Sequence, residues 1–145
     1  MKKIILFLMV LISFTACNNT KEEEEILQAN IIETHDVLML KGETIMANKE
    51  SLNQILENTA NVNTANESLD NEAFFKQVNT LNNNLTKADE AMMTWMNNFN
   101  PDFAGKNHTQ IMEYLNKQKI EIEKVESLTE KALNNSNMFI KKYKK

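Results

Sequence analysis

The chain has 145 residues, 42% hydrophobic and 25% charged, and its 16 lysines, with no arginine, face 20 acids for a formal net charge of −4. A net negative chain without arginine is a poor candidate for binding nucleic acid or anionic lipid headgroups. Two glycines and one proline leave little material for the tight turns of a sheet protein, and the length suits one domain of modest core.

Met1, Lys2 and Lys3 give a short positive start, followed by the unbroken apolar run IILFLMVLI over residues 4–12. A helix that crosses a bilayer needs about 20 apolar residues, so this run reads as the middle of a secretory signal. Cleavage by the ordinary peptidase fits poorly, because Phe14 stands where a small residue is required. Phe14-Thr15-Ala16-Cys17 resembles the lipobox of bacterial lipoproteins, with Phe14 in place of the usual aliphatic residue. That resemblance implies removal of residues 1–16 and a covalent lipid on Cys17, the only cysteine of the chain. Two or three acyl chains make a stable membrane anchor, since each buried methylene contributes about 0.8 kcal/mol. Removal takes away Lys2 and Lys3 and no acid, which leaves 14 lysines against 20 acids and a formal charge of −6.

Residues 17–25 read as an acidic tether, polar enough to stay extended or frayed. The glutamates at 22–25 also suit the positive end of a helix dipole, and the two readings are compatible. A lysine and an acidic run shortly after the lipidated cysteine resemble the surface-export signal of lipoproteins in some Gram-negative groups. This implies an exported protein on the outer membrane, exposed at the cell surface.

Residues 26–145 read as a helical bundle with helices over about 23–57, 69–99 and 108–141. In the first, Leu27, Ile31, Thr34, Leu38, Lys41, Ile45, Asn48, Leu52 and Ile55 recur at steps of three and four, the spacing of one helix face. Gly42 costs about 1 kcal/mol relative to alanine there and predicts a kink or a close helix contact. Residues 58–71 are dense in Asn and Thr, which favour local bonds to the backbone over continued helix. Thr64 with Glu67, or Asp70 with Glu72, are candidate starts for the next helix.

The second helix carries Phe74, Val78, Leu81, Leu85, Ala88, Met92, Trp95 and Phe99 at the same spacing, a strong buried-seam signal. Pro101 and Gly105 break it. The third starts near Asn107, with Gln110 as a capping partner three residues on. Ile111, Leu115, Ile122, Val125, Ala132, Phe139 and Tyr143 form its inner face, and Glu113 with Lys117 makes an exposed pair at four residues' spacing. No segment alternates with a period of two. The expectation is an all-α, antiparallel three-helix bundle after a lipoprotein signal peptide.

The segments HDVLMLKGETIM (35–46), KADEAMMTWMNNF (87–99) and YLNKQKIEIEKV (114–125) resemble a family of small Gram-negative lipoproteins. Its members are often labelled "viral A-type inclusion protein", a name that rests on coiled-coil similarity alone. The resemblance implies an exported, anchored helical bundle without an assigned activity.

His35, Met39, Gly42 and Met46 fall on one stripe of the first helix, while Met92, Met93 and Met96 cluster beside Trp95 on the second. Methionine is a flexible filler of irregular cores, so core packing is the first expectation for these side chains. The alternative is a soft-metal site, since thioether and imidazole suit copper(I); its ligands would be drawn from His35, Met39, Met46, Met92, Met93 and Met96. His35 with Asp36 also fits a polar pair at a helix contact. No Gly-rich phosphate loop and no paired-histidine motif occurs, so no enzyme and no catalytic residue is expected. The sequence thus points to a lipid-anchored bundle with an interaction or structural role in the cell envelope, with an envelope protein as its partner.

Overall fold

In a computed structural model, residues 15–62 and 69–143 are described, with side chains over 20–59 and 72–143. The chain forms three helices, α1 (Thr15–Val62), α2 (Leu69–Asn98) and α3 (His108–Tyr143), and no strand occurs among the described residues. The all-α three-helix bundle expected from the sequence is the observed fold. Thr64 and Glu67, one of the two candidate starts for α2, lie outside the described residues, as do residues 1–14 of the signal segment.

Contacts between α1 and α3 step up both helices in the same direction. Glu24 Oε1 meets His108 Nδ1 at 2.7 Å, Lys41 Nζ donates to Glu130 Oε1 at 3.0 Å, and Asn48 Nδ2 donates to Ser136 Oγ at 2.9 Å. The two helices are therefore parallel, and α2 runs antiparallel between them in sequence. The α1–α3 interface is the most extensive and the α1–α2 interface the least. That imbalance leaves α1 and α2 apart on the side away from α3.

One seam per helix is buried. Ile31, Leu38, Ile45, Leu52 and Ile55 from α1 meet Val78 through Trp95 of α2 and Ile111 through Phe139 of α3. The core divides into two clusters, one around Leu52, Leu85 and Phe139, the other around Ile31, Trp95, Leu115 and Ile122. Polar residues complete the α3 seam: Gln118, Thr129 and Ser136 fill the gaps between its apolar positions and are buried. Tyr143, expected inside, is 39% exposed: it sits in the last turn of α3, where its ring meets Phe74 at 5.2 Å and Phe139 at 4.5 Å between ring centres.

The α2–α3 connection is held by local bonds. Asn100 and Asp102 each accept a backbone N–H two residues on, at 2.9 and 3.0 Å, and Tyr114 Oη accepts the N–H of Asn100 at 2.7 Å. Gly105 takes φ +77°, a left-handed conformation that a side chain disfavours. The predicted cap of α3 is formed reciprocally: Gln110 N–H donates to Asn107 Oδ1 at 3.0 Å and Asn107 N–H to Gln110 Oε1 at 3.1 Å.

Three local expectations are corrected. α1 runs on to Val62, through residues 58–62 that were expected in the connection, and Thr59 Oγ1 donates back to the carbonyl of Ile55 at 2.8 Å without breaking the helix. The acidic tether is not extended over its described side chains: residues 20–25 continue α1 as helix, and Glu24 packs against His108. α1 already begins at Thr15, so these glutamates stand about two turns into the helix, and the His108 contact gives the stretch a tertiary anchor. Lys117 pairs with Glu121 at 4.0 Å and not with Glu113.

Candidate functional site

Successive residues of a helix are rotated by about 100°, so each residue following a core position lies on the neighbouring flank. On α1 that flank carries Ile32, His35, Met39, Gly42 and Met46; on α2 it carries Asp89, Met93 and Met96. The two flanks face each other across the gap between α1 and α2 and form a groove of about 320 Å³. Met39 and Gly42 line one wall, Asp89, Met93 and Met96 the other, and buried Met92 and Thr129 belong to its floor. Apart from Asp89 and Thr129 the lining is apolar.

The structure overturns the core reading for most of these methionines. Met92 is buried, but Met39, Met46, Met93 and Met96 are 48%, 73%, 59% and 42% exposed. Each helix of a three-helix bundle buries one seam, and on α1 that seam is taken by Ile31, Leu38 and Ile45. Of the soft-metal set, Met39, Met92, Met93 and Met96 come together at the groove. Met46 is not part of its lining. Nor is His35, whose Nδ1 meets Asp36 Oδ1 at 2.9 Å and whose ring lies 5.7 Å from the Trp95 ring of α2. His35 thus belongs to the polar pair at a helix contact that the sequence also allowed. Among the described residues no group of three or more His, Cys, Asp or Glu side chains could hold a metal ion.

Gly42 was expected to kink α1 or to admit a close helix contact. The helix runs unbroken through it, and a Cβ built there meets nothing within 4 Å. The residue costs α1 about 1 kcal/mol relative to alanine and admits no neighbour in return. Its structural consequence is an open stretch of groove.

The rim is acidic. Asp36 and Glu43 border Met39 and Met46 on the outer side of α1, and Asp89 with Glu90 does the same for α2. Among the described residues none of Glu43, Asp89 and Glu90 has an ion-pair partner. Lys41 is drawn to the opposite side of α1 by Glu130. Lys87 stands two residues before Asp89, about 200° round the helix.

Cys17 lies in the first turn of α1, and its side chain is outside the described ones. Glu24 and His108, which no sequence signal linked across 84 positions, join the start of α1 to the start of α3. No helix among the described residues is long and apolar enough to cross a membrane. Comparisons with protein-family models, with curated proteins and with solved structures find no match.

Proposed function

We propose that this chain is an exported bacterial lipoprotein, held in the membrane by lipid on Cys17, whose helical bundle serves interaction or structure in the cell envelope. The observation that carries the reading is the order along one stretch of chain: positive start, short apolar run, Phe14-Thr15-Ala16-Cys17, then acids. α1 supports it, because the helix that holds Cys17 in its first turn continues through the bundle to Val62. A lipid there would tether the bundle by one end and leave its flanks free for a partner. Catalysis is not part of this reading, and the outer membrane and its outer surface are the proposed location. The test is metabolic labelling with palmitate together with fractionation. Label on the wild-type chain, and its loss with release from membranes in Cys17→Ser, is the expected result. An unlabelled wild-type chain, or a membrane-bound Cys17→Ser chain, would remove the anchor.

One observation favours a second reading, a soft-metal site. The thioethers of Met39, Met92, Met93 and Met96 line one groove, and thioethers are ligands for copper(I). A competition titration with a copper(I) chelator tests it. Stoichiometric binding lost in Met39→Leu and Met93→Leu supports a metal role, and no competition ends it.

A further inference from the structure

We propose that the groove between α1 and α2 is a docking site for a basic amphipathic helix of a partner protein, whose apolar side chains enter between Met39, Gly42, Met92, Met93 and Met96 while its lysines or arginines meet Asp36, Glu43, Asp89 and Glu90. The inference rests on the interaction role proposed above and gives it a site and a partner chemistry.

Three observations converge. The groove lies between two antiparallel helices whose mutual interface is the sparsest of the bundle, so its open side has the shape that a fourth helix fills in a bundle. Its exposed lining is methionine, a side chain that adapts to apolar partners of differing shape, and Gly42 keeps the α1 wall open. Of the twelve large apolar residues exposed among the described ones, Ile32, Met39, Met46, Met93 and Met96 gather on the two flanks that form or border the groove. Charge then selects among occupants. The rim acids Glu43, Asp89 and Glu90 have no ion-pair partner among the described residues: Glu130 holds Lys41, and Lys49, on the same flank of α1 beyond Met46, pairs with none of them. An acidic or neutral helix would bury those carboxylates without compensation, whereas a basic one pairs them.

The full chain, reconstituted in phosphatidylcholine nanodiscs and labelled at the methionine methyls, is titrated with an 18-residue helical peptide. The peptide lacks Trp and carries leucines at steps of three and four with flanking lysines. The expected result is saturable binding that shifts the methyls of Met39, Met92, Met93 and Met96 and leaves that of Met138 in place. The same peptide with glutamates for lysines binds at least tenfold more weakly. Gly42→Leu, whose Cβ has no neighbour within 4 Å and whose longer side chain extends into the groove, weakens binding tenfold or more. A Glu43→Lys, Asp89→Lys chain reverses the preference between the two peptides.

Equal binding of both peptides, or shifts spread over Met138 as well, would overturn the proposal in favour of unspecific adhesion. Concentration-dependent shifts without peptide would assign the groove to a second copy of this chain, and copper(I) shifting the same methyls while the peptide does not would assign it to metal. Each of these outcomes removes the helix site and leaves anchoring at Cys17 to its own test by palmitate labelling.

Discussion

Asn48 shows how one polar side chain fixes the pairing of two helices. It is buried on the α1 seam, and its Nδ2 donates to Ser136 Oγ at 2.9 Å and to Asn137 Oδ1 at 2.8 Å on α3. Ser136 Oγ in turn donates to the carbonyls of Ala132 at 2.8 Å and Leu133 at 3.0 Å. A shift of α1 along α3 would bury these groups without partners, and a buried unpaired polar group costs about 1–3 kcal/mol. Asn48→Ala is therefore expected to destabilise the bundle by about 2 kcal/mol, measured by urea unfolding. Its cycle with Ser136→Ala should show a coupling of at least about 0.5 kcal/mol. The two glycines predict opposite signs. Gly42→Ala should stabilise by about 1 kcal/mol, because α1 is helical there with open space around it. Gly105→Ala should destabilise by about 1 kcal/mol, because φ is +77°. A stability change of the same sign at both positions would contradict this account of the backbone.

The start of α3 is where most of the local signals and one long-range contact meet. Asn107 and Gln110 satisfy each other's backbone N–H groups, and the first helical residue, His108, reaches Glu24 on α1. Tyr114, six residues further, accepts from the connection and lies beside Phe103, with Lys106 Nζ 5.1 Å from its ring centre. Loss of the cap should cost about 1 kcal/mol in Asn107→Ala, and thermal melts should fall by a few degrees. Hydrogen exchange should quicken first at the N–H groups of Gln110 and its neighbours, since these lose their acceptor. Unchanged exchange at Gln110 with a lowered melting point would mean that Asn107 acts elsewhere.

At the scale of the molecule, the two core clusters share all three helices, so neither can melt without exposing seams of the other. Leu52 and Leu115 are both 0% exposed and belong to different clusters. Leu52→Ala and Leu115→Ala should each cost about 2–5 kcal/mol. Trp95, the only tryptophan, reports on one cluster, while far-UV circular dichroism reports on all three helices. Coincident unfolding curves from the two probes are expected in the wild type and in both variants. A circular dichroism transition separate from the Trp95 transition would mean that the bundle unfolds in two parts.

The sequence by itself determined the three helices, their seams and the cap of α3. Those features follow from the 3.6-residue period, from Pro101 and Gly105, and from the Asn107–Gln110 spacing, all of them local. Ile31, Leu38, Ile45, Val78, Leu85, Trp95, Leu115 and Ile122 were legible as core because each repeats on one face. The tertiary structure decided that the second apolar stripe on α1, which the sequence also offered to the core, stays at the surface. Ile31-Leu38-Ile45 and Ile32-Met39-Met46 have the same seven-residue spacing, and the choice between them depends on how α1 packs against α3 and how lightly it touches α2. It likewise decided that Gly42 opens a groove, that Asn48 meets Ser136, and that Glu24 meets His108, since pairs 84 to 89 positions apart are joined by the register between helices, which no local spacing encodes.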